Sequence, residues 1–145
     1  MTRSKRMYRI AEYVDSDQEA AAQELARLRS QVQAQEDQLE RLREYCLSYH
    51  EQLAEVQARG GSAARLLSYS QFLARLSEAI AQQEQAVAAA NRAFEQQRNV
   101  WIEARARVQA VTKAAGRLEQ AENKTMERHE QRQNDDLSLN RLLKR

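Results

Sequence analysis

The chain has 145 residues, no proline and only three glycines, and aromatic residues make up 6% of it. Ala, Glu, Gln, Arg and Leu dominate, a composition typical of long helices and coiled coils rather than of a compact globule. The formal net charge is +2 with acids and bases interspersed, which argues against nucleic acid or a membrane surface as the partner.

The first residues, "MTRSKRMYR", carry four bases and no acid. No apolar run follows them, so they do not resemble a secretory signal. No segment approaches the ~18 consecutive apolar residues that a membrane-spanning helix needs. The single cysteine cannot form an internal disulfide, so nothing indicates an oxidising compartment. These features predict a soluble protein of the cytoplasm.

A seven-residue apolar repeat predicts a first helix over about residues 7–57, with apolar residues at heptad positions a and d. The spacing does not slip between Leu25 and Val56. The sequence "SDQE" at 16–19 matches a capping box, which favours a later start near Ser16 with residues 1–15 loosely held. Both starts are compatible with the repeat.

Gly60 and Gly61 form the one strong break in the pattern and predict a turn over about residues 58–62. A second helix is predicted over about residues 63–135. Its a positions are apolar eight times in succession: Leu66, Leu73, Ile80, Val87, Phe94, Trp101, Val108 and Ala115. The pattern ends after Leu118, so we expect residues 119–145 to form a polar helix or a frayed tail.

Two such helices joined by a short turn are expected to pack as antiparallel neighbours. The predicted fold is therefore all-α, an antiparallel two-helix coiled-coil hairpin forming a single domain over residues 1–145. A register centred on Gly61 places Ala21 opposite Trp101. It also places each core glutamine, among them Gln35 and Gln83, opposite an apolar or small residue.

The stretch "REYCLSYHEQL", residues 43–53, brings Cys46 and His50 four residues apart on one helix. Two ligands do not make a closed zinc site, which needs four. A Cys/His nucleophile would need a pocket and an oxyanion hole that this pattern does not provide. We therefore predict no catalytic residue, no metal and no cofactor, and we interpret Cys46 as a core residue and His50 as solvated.

Tyr45 and Phe72 stand out because both lie at heptad position g, outside the a/d core. They either cover the core or form a docking surface, and aromatic residues concentrate at interface hot spots. We favour a docking face near the turn. It comprises Gln38, Leu42, Tyr45, Tyr49, Phe72, Leu76 and Ala79, with Gln83 at its end.

The motifs "KRMYRI", "QLERLREYCLSYHEQL", "LLSYSQFLARLSEAIAQQ" and "RNVWIEAR", with the polar end "ERHEQRQNDD", resemble those of the FliJ family. Members of this family are small soluble components of the flagellar type III protein export apparatus. The resemblance covers nearly the whole chain. It implies a non-enzymatic part in flagellum biogenesis, and so in motility and chemotaxis.

The resemblance also implies partners. FliJ proteins insert the end that carries both termini into the hexameric ring of the export ATPase, FliI. They contact the cytoplasmic domain of the export gate protein FlhA, and they bind empty export chaperones. The chain would thus be peripheral to the membrane through its partners only. The family's gate-binding face maps onto Gln38, Leu42, Tyr45, Tyr49, Phe72, Leu76 and Ala79, and Gln83 stands where the family often has histidine.

By charge alone we expect Arg3, Lys5, Arg6 and the basic end at 141–145 to matter for the ATPase ring. Two other functions remain compatible with the sequence. One is the equivalent stalk of a virulence type III secretion system, which shares this architecture. The other is a generic coiled-coil scaffold without an ATPase partner.

Overall fold

In a computed structural model, which describes residues 1–144, the chain forms two helices, α1 (Arg3–Ala58) and α2 (Ala63–Leu143). No strand occurs among the described residues. Side chains of α1 contact α2 in antiparallel order, so the predicted all-α hairpin is confirmed. Neither helix, as far as it is described, contains a stretch apolar enough to cross a bilayer.

The exposure of the side chains follows the predicted heptad. Every a and d residue of α1 from Met7 to Val56 is buried or half-buried. The same holds for every a and d residue of α2 from Leu66 to Leu118. A single angular stripe on each helix therefore forms the core, as a 3,4 spacing of apolar residues requires.

Helix α1 begins at Arg3, earlier than either predicted start. Thr2 caps it, since the backbone N–H of Lys5 donates to Thr2 Oγ1 at 3.3 Å. The N–H of Ser4 donates to a carboxylate oxygen of Glu122, at 3.0 Å. These two contacts satisfy backbone donors that the first turn of a helix leaves unpaired. The "SDQE" sequence consequently lies inside the helix and caps nothing.

The turn is a Schellman motif built on the glycine pair. The N–H of Gly61 donates to the carbonyl of Val56 at 2.9 Å, and the N–H of Gly60 donates to that of Gln57 at 3.2 Å. Gly60 has φ +71°, in the left-handed region that costs other residues energy. A Cβ on Gly61 would collide with Val56 Cγ1. Ser62 then caps α2 through the N–H of Arg65, at 3.2 Å.

Helix α2 continues to Leu143, beyond the predicted end near residue 135. Every side chain from Asn123 to Lys144 is exposed. Of the two predicted states for the C-terminal region, a polar helix and a frayed tail, the structure has the helix. Arg145, the last residue of the predicted basic end, lies outside the described residues.

The chain divides into two compact units. The turn unit comprises Ala22–Val100, and the terminal unit pairs residues 1–21 with residues from 101 onward. In the turn unit Gln83 Nε2 donates to the backbone oxygen of Gln35 at 3.0 Å and to its side-chain oxygen at 2.7 Å. The sequence did not predict these bonds, which join glutamines of neighbouring layers, and the apolar or small residue expected opposite each glutamine stays a prediction.

Candidate partner-binding face

Three aromatic rings meet in the turn unit and form what we term the aromatic cluster: Tyr49, Tyr69 and Phe72. The Tyr49 and Phe72 ring centroids lie 4.3 Å apart with planes tilted by 31°. The Tyr69 ring lies 6.1 Å from that of Tyr49, tilted by 56°. Tilted and offset pairs at these distances are favourable. The cluster forms because two d positions and a g position of antiparallel helices lie side by side near the turn.

A cleft opens on this cluster, with a volume of about 250 Å³. We call it the aromatic cleft, and the residues that line it are Tyr49, Ser68, Tyr69, Phe72 and Arg75. The Ser68 hydroxyl donates to the carbonyl of Ala64 at 3.1 Å, so it is directed at its own helix. Rings form most of the lining, one guanidinium supplies charge, and no carboxylate contributes. Such a lining suits an apolar side chain that has a negative group beside it.

Tyr45 is 61% exposed, the most exposed aromatic side chain of the turn unit. It lines a shallow groove with Arg41, Glu44 and Ser48, all on its own helix. Arg41 also donates to the Gln38 side-chain oxygen at 3.0 Å. Tyr45 thus exposes an apolar ring to solvent beside a positively charged residue, Arg41, and a negatively charged residue, Glu44.

The other residues of the predicted docking face differ in how accessible they are. Gln38 is exposed, while Leu42 and Ala79 are half-buried. Leu76 is only 8% exposed and belongs to the core. Tyr49 and Phe72 are in ring contact, as described above. The docking role of the seven residues stays a prediction.

The predicted docking face lacks three residues of the aromatic cleft: Ser68, Tyr69 and Arg75. The heptad places Tyr69 at a core d position, and the sequence analysis did not single out Ser68 or Arg75. A signal was present, since Tyr69, Phe72 and Arg75 are spaced by three residues and so follow one face of a helix. The Tyr69 hydroxyl also reaches α1, where it lies 3.5 Å from a side-chain oxygen of Gln52.

The structure separates the two residues considered for chemistry by their exposure. Cys46 is half-buried and His50 is exposed. Within residues 1–144 no group of three or more His, Cys, Asp or Glu side chains is placed to hold a metal ion.

The terminal unit contains the basic residues expected to meet an ATPase ring. Arg3 and Lys5 line a groove of about 660 Å³ that also contains Glu119 and Glu122. The Tyr8 hydroxyl donates to Glu119 at 2.7 Å, and this hydrogen bond raises the pKa of Tyr8. The hydrogen bond from the Ser4 hydroxyl, at 2.5 Å, and that from the Ser4 N–H lower the pKa of Glu122. The groove therefore mixes bases with carboxylates.

Comparison with known proteins identifies one family. The family model described as "Flagellar FliJ protein" matches residues 4–145 of this chain. The match includes both helices and the turn between them. No curated protein and no solved structure matches the chain.

Proposed function

The chain belongs to the flagellar FliJ protein family, and from this premise we propose that it is a non-enzymatic stalk that couples the export ATPase to the export gate. Membership of this non-catalytic family supports a role in flagellar export and favours the flagellar apparatus over a virulence system. The same protein escorts empty export chaperones. It works in the cytoplasm and reaches the membrane only through its partners.

The observation that carries the gate contact is the aromatic surface of the turn unit. Tyr45 is 61% exposed, although nothing in the core requires a ring there. The aromatic cluster adds Phe72 and Tyr49, which are half-buried and border an open cleft. Exposed rings of this kind supply large contact areas at little cost in side-chain entropy. We assign this face to the cytoplasmic domain of the gate protein FlhA.

The terminal unit supplies the contact with the ring of FliI. Its first helical turns carry Arg3, Lys5 and Arg6, and two further bases are Arg141 in the last turn of α2 and Lys144 just after that helix. Carboxylates on the inner surface of a ring would be attracted by these bases. Glu119 and Glu122 hold the start of α1 in place and thereby fix where its bases are presented.

Binding of the gate's cytoplasmic domain tests the docking face directly. The double variant Tyr45→Ala, Phe72→Ala should weaken binding at least about tenfold, because hot-spot aromatics commonly cost 2 kcal/mol or more. Tyr13→Ala is the matched control, since Tyr13 is 71% exposed and lies in the terminal unit. Circular dichroism should show unchanged helicity for all three proteins. Equal affinity of the double variant and wild type would refute the assignment.

ATPase measurements separate a coupling stalk from a scaffold. Adding the wild-type chain to the purified export ATPase should increase its hydrolysis rate. The variant Arg3→Glu, Lys5→Glu, Arg6→Glu should increase it less, while Tyr45→Ala should behave as wild type. An ATPase rate that does not respond to the chain would favour the scaffold.

A further inference from the structure

Arg75 is the one charged residue that lines the aromatic cleft, and it has no ion-pair partner among residues 1–144. Its side chain is exposed, and no carboxylate of residues 1–144 lies within ion-pair distance of it. Some arginines of the turn unit are paired, such as Arg43 with Glu84 at 3.6 Å and Arg98 with Glu95 at 3.8 Å, while others, such as Arg92, have no ion pair among residues 1–144. What distinguishes Arg75 is that its unpaired guanidinium lines a cleft beside three rings.

The two kinds of group in the cleft select for one kind of ligand. Ring faces bury an apolar side chain and exclude water around it. A guanidinium binds carboxylates through two parallel hydrogen bonds, and such charge-assisted bonds strengthen where water is excluded. A carboxylate close to an inserted apolar side chain would satisfy both. Since no Asp or Glu lines the cleft, that carboxylate meets no repulsion there.

We infer that the aromatic cleft binds an acidic segment of a partner protein. An apolar or aromatic side chain of that segment packs against the rings of Tyr49, Tyr69 and Phe72 that line the cleft, and a neighbouring carboxylate pairs with Arg75. A protein segment fits better than nucleic acid or a lipid surface, because those ligands require several bases in a row and the cleft contains a single one. The inference rests on the proposed function in taking this face for a docking face, and it names the chemistry that the docked segment must have.

Peptide display against the full chain tests the ligand class without assuming a partner. Peptides enriched on the wild-type chain should combine an aromatic or large aliphatic residue with Asp or Glu nearby. They should bind Arg92→Gln equally well, because Arg92 is an exposed arginine on the outer side of α2 and does not line the cleft. They should be lost from Arg75→Gln. Enriched peptides without an excess of acidic residues, or peptides that Arg75→Gln retains, would overturn the inference.

Affinity measurements on one enriched peptide sharpen the test. Replacing its acidic residues by Asn or Gln should weaken binding about tenfold, and Arg75→Gln should have the same effect, since each change removes the same charge-assisted hydrogen bonds. The two changes together should cost no more than either alone. Arg75→Lys should recover part of the affinity, because it keeps the charge but loses the two parallel bonds. Additive losses would place the carboxylate elsewhere and overturn the pairing.

Two further controls address other occupants. Anionic phospholipid vesicles that bind the wild-type chain but not Arg75→Gln would assign the cleft to a membrane. Self-association that disappears in Arg75→Gln, measured by analytical ultracentrifugation, would assign it to a second copy of the chain. Either result overturns the inference, and the absence of both supports it.

Failure of the inference and failure of the proposed function give different results. If the gate domain binds and Arg75→Gln changes neither its affinity nor that of acidic peptides, the docking face is supported and the acidic-segment inference is refuted. If acidic peptides bind through Arg75 and the gate domain does not bind, the acidic-segment inference is supported and the assignment of this face to the gate is refuted.

Discussion

The turn unit buries large aliphatic side chains, whereas the terminal unit buries alanines. In the turn unit the most buried residues are Leu39, Val56, Leu73 and Leu76, each 8% exposed. In the terminal unit the most buried apolar residues are Ala11 and Ala21 at 9%, Ala104 at 2% and Ala115 at 0%. A side chain of one carbon becomes inaccessible only where neighbouring atoms approach closely. One heptad pattern thus supports two kinds of packing.

The difference implies that the two units depend on different interactions. Burial of a leucine contributes about 1.5–3 kcal/mol, while an alanine removes far less apolar area from water. The terminal unit adds polar contacts between its helices, from Ser4 to Glu122 and from Tyr8 to Glu119. The turn unit adds the aromatic cluster, the covalent turn and the hydrogen bonds from Gln83 to Gln35. The stability of the turn unit should therefore depend most on the volume of its buried side chains. The stability of the terminal unit should depend most on the close approach of its helices and on the hydrogen bonds between them.

Loss of volume in the turn unit should give the largest effect. Leu73→Ala removes a leucine that is 8% exposed, and it should lower the free energy of unfolding by about 2–3 kcal/mol through lost burial and a residual cavity. Leu67→Ala is the control, because Leu67 is 58% exposed on the same helix. Urea unfolding followed by circular dichroism measures both. Similar losses for the two variants would show that leucine burial does not hold this unit.

Added volume in the terminal unit should give the next largest effect. Ala115 is fully buried, so Ala115→Leu should force its neighbours apart and lower the free energy of unfolding by about 1–3 kcal/mol. Ala110→Leu, at an exposed position of the same helix, should be close to neutral. The same urea experiment applies. A more stable Ala115→Leu variant would mean that the terminal unit has room for a leucine, and the contrast with the turn unit would fail.

The sequence predicted the core of both units because exposure depends on angular position around a helix, which the heptad spacing determines. It did not predict which core residues are buried most. Ala115 and Leu73 both lie at a positions, yet the close packing that buries Ala115 completely depends on its neighbours across the pair. Spacing identifies the face of the helix, and the size of the facing side chains decides the depth of burial.

The features that could not be predicted from the sequence depend on contacts between residues that are distant along the chain. The start of α1 at Arg3 has a local cap, Thr2, and a second contact with Glu122 on the other helix, and local capping patterns could not reveal the contact with Glu122. The candidate site shows the same limit. Tyr45 and Phe72 were identified as surplus rings, but the aromatic cleft needs the orientation of Tyr69 and the position of Arg75, which heptad letters do not encode.

Replacing either glycine of the turn by alanine should change the free energy of unfolding less than the core substitutions do. The sign of that change should be opposite to the sign for Gly116→Ala in the terminal unit. Gly60→Ala should lower the free energy of unfolding by about 1 kcal/mol, because φ +71° disfavours a side chain. Gly61→Ala should cost at least as much, since its Cβ meets buried Val56. Gly116→Ala should instead stabilise by about 0.5–1 kcal/mol, because its Cβ meets nothing within 4 Å inside a helix. Thermal unfolding of the three variants gives the signs, and a destabilised Gly116→Ala would contradict this account.

The smallest effect should be local and dependent on pH. Hydrogen bonds from Ser4 lower the pKa of Glu122 in the folded chain. The stability they add is therefore present above the ordinary glutamate pKa of about 4.3 and is lost as the pH falls through the lower folded value. NMR titration should place the pKa of Glu122 below the ordinary value in wild type and nearer to it in Ser4→Ala.

Hydrogen exchange locates this effect in the terminal unit. At neutral pH, Glu122→Gln should speed exchange of the first-turn amides of α1, such as that of Ser4, because the charged acceptor at the helix N-terminus is gone. Acidification through the folded pKa of Glu122 should do the same in wild type, with much less change in the variant. Amides of the turn, such as that of Gly61, bond to backbone carbonyls and should not respond to the substitution. Equal exchange at Ser4 in wild type and Glu122→Gln would mean that the alanine packing alone fixes the start of α1, and the polar contacts would then lose their part in the contrast between the units.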